Sequence, residues 1–194
     1  MNHNNTVRAF IAIPIPKAVK DYLSNLIFNF QQTISENSIK WVDPNNIHLT
    51  LKFLGDLTNS SIKNLTTSLE SNKFSSFELK IEKVGAFPSI YKPRVIWVGI
   101  SKNDVLNNLA GYIKEVTQFI QPEENDKPFS PHLTIARIKP GIKNESYELL
   151  KKVLVKNREI EPIQFPVSNY CVFQSKLTPK GPIYSVLNSY DLNS

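Results

Sequence analysis

The tetrapeptides His48-Leu49-Thr50-Leu51 and His132-Leu133-Thr134-Ile135, 84 residues apart, constrain this chain more than any other feature. The chain has only three histidines. A following Leu, Thr and second aliphatic residue arises after any one of them at roughly the percent level or below. Two of the three carry it, and chance does not account for that. Side chains alternate along a strand, so each histidine shares a face with its threonine, about 7 Å away along the backbone. Ile47, Leu49, Leu51 and Phe53 fall on the opposite face of the first segment, and Leu133 and Ile135 on that of the second. Those apolar faces can anchor both motifs to a core. The third histidine, His3, lies in a polar N-terminal stretch and carries no expected role.

The surrounding pattern repeats as well. Val7 to Pro14 reads as a strand, closed by Pro14 and Pro16. Val19, Tyr22, Leu23, Leu26, Ile27 and Phe30 then predict an amphipathic helix over roughly 17–35. Ile47 to Leu54 alternates as a strand, and Thr58 to Ser61 can cap a helix bearing Ile62, Leu65 and Leu69. Phe77 to Phe87 and Arg94 to Ile100 read as strands joined through Pro88–Pro93. Val105, Leu109, Ile113, Val116 and Ile120 mark a third helix, His132 to Ile138 a strand, and Tyr147, Leu150, Val153 and Leu154 a fourth helix. Ile163 to Phe173 and Ile183 to Tyr190 finish as two strands about Lys180-Gly181-Pro182, and Gln121–Lys127 reads as a surface loop. With Arg94–Ile100 opening the second half, both halves read strand, helix, strand, helix, strand, strand. The histidine strands occupy the same slot in each. The period is far too long for a solenoid, so the expected architecture is α+β: one bilobal domain over 1–194, built by internal duplication.

Composition narrows the setting. The longest apolar runs, such as Phe10–Ile13, are too short to cross a bilayer. Met1–Asn5 shows no basic and apolar leader, and the single cysteine, Cys171, fits a reducing compartment. A cytoplasmic location is expected, with no membrane association. The net charge of +6 is compatible with RNA, nucleotides or other phosphate-bearing ligands. It reads equally as a solvated surface, since no run of five or six like charges occurs.

Two imidazoles with two hydroxyls suit phosphoryl chemistry. One histidine can take a proton from attacking water while the other, protonated, gives one to the departing oxygen. The threonine hydroxyls of Thr50 and Thr134 can donate to the non-bridging phosphate oxygens as charge builds there. There is no His-x-x-x-His, no cysteine pair, and no carboxylate in either tetrapeptide, so no metal or other cofactor is expected. Cys171 has no histidine neighbour in sequence and receives no catalytic role.

At these residues the chain resembles the 2H phosphoesterase family, and within it the LigT-like RNA 2′,3′-cyclic phosphodiesterase branch. The resemblance runs through Arg8–Ile13, Trp41-Val42, Asn46–Gly55, Gly85–Pro88, Arg94–Gly99, Pro131–Arg137 and Gly181–Tyr184. It implies two pseudo-symmetric lobes, each an antiparallel sheet with helices packed outside, and an active-site cleft between them. The implied reaction is hydrolysis of a 2′,3′-cyclic phosphate at an RNA 3′ end to a 2′-phosphomonoester. His48 is then the general acid and His132 the general base, although pseudo-symmetry lets a flipped substrate exchange them. Members of the family also join RNA ends through 2′,5′ linkages.

The resemblance also implies a phosphate contact for Arg137, for which a guanidinium is well suited. Strict alternation from His132 places Arg137 on the opposite face, so that contact requires the strand to end, bulge or twist first. Phe10, Phe53, Trp41 and Tyr184 can stack on a terminal base. Phe53 shares the face of Leu49 and Leu51, so core packing is expected for it. Lys52, on the His48 face, can steer phosphate. The expected partner is RNA with a cyclic phosphate end, or a nucleotide cyclic phosphate, bound by a monomer with no obligate protein partner. The motifs leave open other substrates: nucleoside 2′,3′-cyclic phosphates, ADP-ribose cyclic phosphate, or 2′,5′-oligoadenylate. A non-catalytic RNA- or nucleotide-binding module and a metallohydrolase are the competing classes.

Overall fold

The computed structural model describes residues 6–71, 74–120, 128–179 and 181–193. The 121–127 loop expectation, His3 and Lys180 lie outside them. The strands are β1 (Val7–Pro14), β2 (Ile39–Trp41), β3 (His48–Leu57), β4 (Phe77–Ser89), β5 (Lys92–Ile100), β6 (His132–Ile138), β7 (Glu159–Val167), β8 (Asn169–Thr178) and β9 (Gly181–Asp191). The helices are α1 (Lys17–Thr33), α2 (Asn59–Leu69), α3 (Asp104–Val116) and α4 (Asn144–Lys156). Their apolar spacing explains them: α1 buries Val19, Leu23, Ile27 and Phe30, one stripe of a 3.6-residue period. Thr58 caps α2 by accepting from the Ser61 amide, and Asn103 caps α3 by accepting from Leu106. In α3 the buried stripe starts at Leu106 rather than Val105, which is exposed. No helix among the described residues is long and apolar enough to cross a membrane.

The strands form an antiparallel sheet in the order β7-β4-β5-β6-β3-β1-β8-β9, with β2 added beside β6. At its middle, β6 and β3 share one registered pair, Leu49 with Leu133. The sheet is therefore two leaves meeting at a point, β7-β4-β5-β6 with β2 alongside, and β3-β1-β8-β9. Outward from that point the registers repeat. Pro14, Ile13 and Ala12 oppose His48, Leu49 and Thr50. In the other leaf Gly99, Val98 and Trp97 oppose His132, Leu133 and Thr134.

The leaves do not coincide with the two halves of the sequence, contrary to the division expected from the repeat. β4 leaves the first half to pair with β5, and the strand expected over Ile163–Phe173 breaks at Ser168. β7 goes beside β4, while β8 lies between β1 and β9 at the other end of the sheet. The break has a cause in the pattern. Buried Phe165 and Val167 keep one phase of alternation, and buried Tyr170 and Val172 the other. Helices cross over too. Tyr22 of α1 donates to the Glu161 carbonyl of β7, and Phe30 stacks on Trp41, so α1 backs the leaf containing β7. Tyr112 of α3 donates to the Ser68 carbonyl of α2, whose Leu69 and Thr66 carbonyls accept from Tyr170 and Tyr190 of the other leaf.

Bulges decide which residues face the histidines. β3 carries extra residues against β1, with Leu51 and Lys52 together opposite Ile11, and Leu54 and Gly55 together opposite Ala9. Gly55 adopts φ +71°, a conformation glycine takes without a Cβ penalty. β6 has the matching bulge, Ile135 and Ala136 together opposite Ile96, and both are fully buried. Each bulge flips the alternation beyond it. Phe53 moves to the histidine face and is 63% exposed, against the core position expected for it. Lys52 falls opposite the core residue Ile11, out of phase with His48 and Thr50. This register departs from the expectation that Lys52 shares the His48 face.

Close packing of the β4–β5 pair supports this register. A Cβ on Gly85 would lie 2.3 Å from the Trp97 ring, well inside contact distance. Gly85→Ala is expected to cost about 1–3 kcal/mol, read as a lowered urea midpoint. The same change should cost less in a Trp97→Leu background, where the obstructing ring is gone.

Candidate active site

Leu49 and Leu133 are both fully buried, so their strand neighbours project from the opposite face. That face carries His48, Thr50, His132 and Thr134, all half-buried. Antiparallel pairing through the two leucines sets His48 across from Thr134 and Thr50 across from His132. Each imidazole thus has one hydroxyl on its own strand and another across the joint.

Both rings are held in the same way. Nδ1 of His48 donates to the Asn46 carbonyl at 2.8 Å, and Nδ1 of His132 donates to the Ser130 carbonyl at 2.7 Å. A carbonyl only accepts, so Nδ1 must carry the hydrogen, and Nε2 is left for proton exchange in each ring. Burial pulls both histidines below their ordinary pKa, while the carbonyl bonds pull the other way. The Arg137 guanidinium depresses both further, and Lys20 adds to this at His48 alone.

The walls differ. His48 lies 4.7 Å from the Phe10 ring and 6.3 Å from Phe173, with Tyr184 edge-on at 5.1 Å. His132 has Phe87 edge-on at 4.9 Å and Trp97 at 6.4 Å. The bulge in β6 resolves the position of Arg137. It stands five residues after His132 as Phe53 does after His48, opposite Val95 where Phe53 is opposite Phe10. Its charge reaches His48, His132 and Tyr184.

Other candidates fall differently. Phe10 is only 3% exposed and forms the floor beneath His48, so it has no open face for a base. Trp41 packs on Phe30 with ring centroids 5.9 Å apart. Cys171 is buried, with its thiol 3.5 Å from the Ser189 hydroxyl, and burial raises its pKa. The carbonyl supports Asn46 and Ser130, and the aromatic walls Phe87, Trp97 and Phe173, do not stand out as site residues from sequence. Two of them carry a visible regularity: each supporting carbonyl sits two residues before its histidine. Among the described residues no three His, Cys, Asp or Glu side chains gather as a metal site would require.

The chain is 33% identical over 192 residues to an RNA 2′,3′-cyclic phosphodiesterase of Aquifex aeolicus, covering 96% of this chain and 97% of that one. It is 32% identical over 189 residues to a protein of the same name from Methanocaldococcus jannaschii, covering 95% and 100%. Its fold is similar to that of a Thermus thermophilus protein, at TM-score 0.75 and 25% identity, over 95% of this chain and 97% of the other. Escherichia coli LigT, crystallised with 3′-AMP, is similar in fold at TM-score 0.75 and 20% identity, over 98% and 100%. The family model described as LigT like Phosphoesterase matches the chain twice, over residues 13–97 and 98–184, with one His-Leu-Thr strand in each match. The chain belongs to the LigT-like phosphoesterase family.

Proposed function

We infer that this chain hydrolyses 2′,3′-cyclic phosphates at RNA 3′ ends, leaving a 2′-phosphomonoester, with its two histidines handling the protons. The observation that carries this reading is the paired support: two imidazoles on one face, each with Nδ1 pinned and Nε2 available. Near-full-length relatives named RNA 2′,3′-cyclic phosphodiesterase support the substrate class.

On this reading His132 Nε2 takes a proton from water as the water oxygen bonds to phosphorus. The bond from phosphorus to O3′ breaks, and protonated His48 Nε2 delivers its proton to O3′. Thr50 and Thr134 donate to the non-bridging oxygens, whose negative charge grows in the transition state. Arg137, acting on both histidines, offers that charge a guanidinium. The difference between the walls supports the assignment of acid and base. Beside His48 stand half-buried Tyr184 and exposed Phe53, surfaces suited to a nucleoside. The departing O3′ belongs to that nucleoside, so the acid belongs on that side.

Both histidines are depressed in the free protein, and turnover requires one protonated and one neutral. The maximum of kcat/KM is therefore expected on the acidic side of about pH 6.5, the ordinary histidine value. The bound phosphodiester anion favours an imidazolium, so the kcat profile should extend to higher pH. In histidine-detected NMR titrations, Arg137→Gln should raise the midpoints of His48 and His132 together, and Lys20→Gln only that of His48.

The direct test is incubation with a 2′,3′-cyclic-phosphate-terminated oligoribonucleotide in EDTA, with identification of the phosphomonoester isomer. Turnover to the 2′-phosphate is expected. An intact oligonucleotide alongside hydrolysed small cyclic nucleotides would remove the RNA-end reading. His48→Ala and His132→Ala should each lower turnover by about a hundredfold or more, the scale of a lost acid or base. Thr50→Ala and Thr134→Ala should cost less.

A further inference from the structure

The short 3-10 turn Pro44–Asn46 ends on a residue that touches two parts of the His48 environment. The Asn46 carbonyl accepts the Nδ1 proton of His48 at 2.8 Å. Its side-chain nitrogen donates to the Pro182 carbonyl of β9 at 3.2 Å, across 136 residues of sequence. That carbonyl can only accept, so the amide nitrogen must be the end of Asn46 that faces it. Two residues along β9, Tyr184 stands edge-on to His48 and to Phe10, each at 5.1 Å. The registered pairing of β8 with β1 stops at Gln174 with Ala9, while the hairpin runs on to Gly181. The Asn46 bond ties that far end of the hairpin to the turn leading into β3.

We propose that Asn46 is a positioning residue that holds the His48 imidazole through its carbonyl and the Tyr184 wall against that imidazole through its amide. Its kinetic consequences rest on the phosphodiesterase reading, whereas its effect on the His48 environment does not. His48 is faced by Tyr184 from β9, Arg137 from β6 and Lys20 from α1, with apolar Phe10 and Phe173 from β1 and β8. Releasing the hairpin lets water reach the ring and relieves the burial that disfavours its charged form. Its titration midpoint must then rise. His132 is supported by Ser130 and walled by Phe87 and Trp97, none of which touches this bond.

Two measurements on the full chain test this. Histidine-detected NMR has three histidines to resolve. Asn46→Ala should raise the His48 midpoint by about half a pH unit, in the direction that lost burial dictates, and leave His132 in place. An unmoved His48, or equal movement of both, overturns the proposal. In kinetics with the cyclic-phosphate oligoribonucleotide, Asn46→Ala should raise KM about fivefold, the scale of one hydrogen bond, with a smaller change in kcat. Combined with Tyr184→Ala it should do no more than the larger single change, because both act on one wall. Multiplying effects overturn the proposal. If Asn46→Ala does not fold, Asn46→Asp keeps the shape without the donor and is read in the same kinetic cycle. A wild-type chain that turns over no cyclic phosphate removes the functional reading, while the titration still decides the role of Asn46.

Discussion

The contact between Leu49 and Leu133 is where the rest of the molecule is anchored. Both side chains are fully buried, and they form the registered pair that joins β3 to β6. Pinning these residues into the core turns their neighbours outward, so burial of two leucines orients two histidines and two threonines at once. The arrangement needs no long ladder between the leaves. With one shared pair, the strands separate on either side of it, and the polar residues gather where the leaves meet. A polar substitution at either leucine would act on core packing and on the geometry of the site together.

Local irregularity then breaks the symmetry between the two leaves. Both histidine strands bulge at the same place, after the threonine, and both bulges bring the residue five beyond the histidine onto the site face. One leaf fills that position with Phe53 and the other with Arg137. An aromatic surface and a fixed positive charge thus stand at equivalent points around a symmetric pair of imidazoles. The walls follow suit: Trp97 occupies the position that Ala12 holds in the other leaf, and Gly85 leaves room for it. Two alike imidazoles consequently stand in unequal surroundings, and on the proposed reading that inequality suits a reaction with distinct attacking and leaving oxygens.

The motif is readable in the sequence because its information is local. Alternation puts histidine and threonine on one face whatever strand lies alongside, and repetition of the motif separates it from chance. Strand and helix positions are readable for the same reason, from the period of their apolar residues. Lys52, Phe53 and Arg137 are misplaced or left undecided by alternation because a bulge is a property of two strands: it records one extra residue against a partner the sequence does not name. Phe10 can be recognised as aromatic but not as the floor beneath His48, since that depends on the His48 and Tyr184 side chains lying over it. The break at Ser168 is visible in the changed phase of Phe165, Val167, Tyr170 and Val172. The destination of each resulting strand is not, because partner choice is settled by the whole sheet.

The crossing of β4 and β8 has a mechanical consequence. One leaf is completed by β4 from the first half of the chain and the other by β8 and β9 from the second, and α1 and α3 likewise reach across. The halves are interlocked like a strand-exchanged dimer whose two copies have been joined end to end. Neither half alone contains a closed leaf, so a fragment ending between β4 and β5 would expose an unpaired edge and part of its core. Tethering makes the exchange intramolecular, so the partner strand is always at high local concentration and assembly does not depend on a second molecule. The pair of histidines is thereby brought together once per chain, and its spacing is set by the same interlock that closes the core.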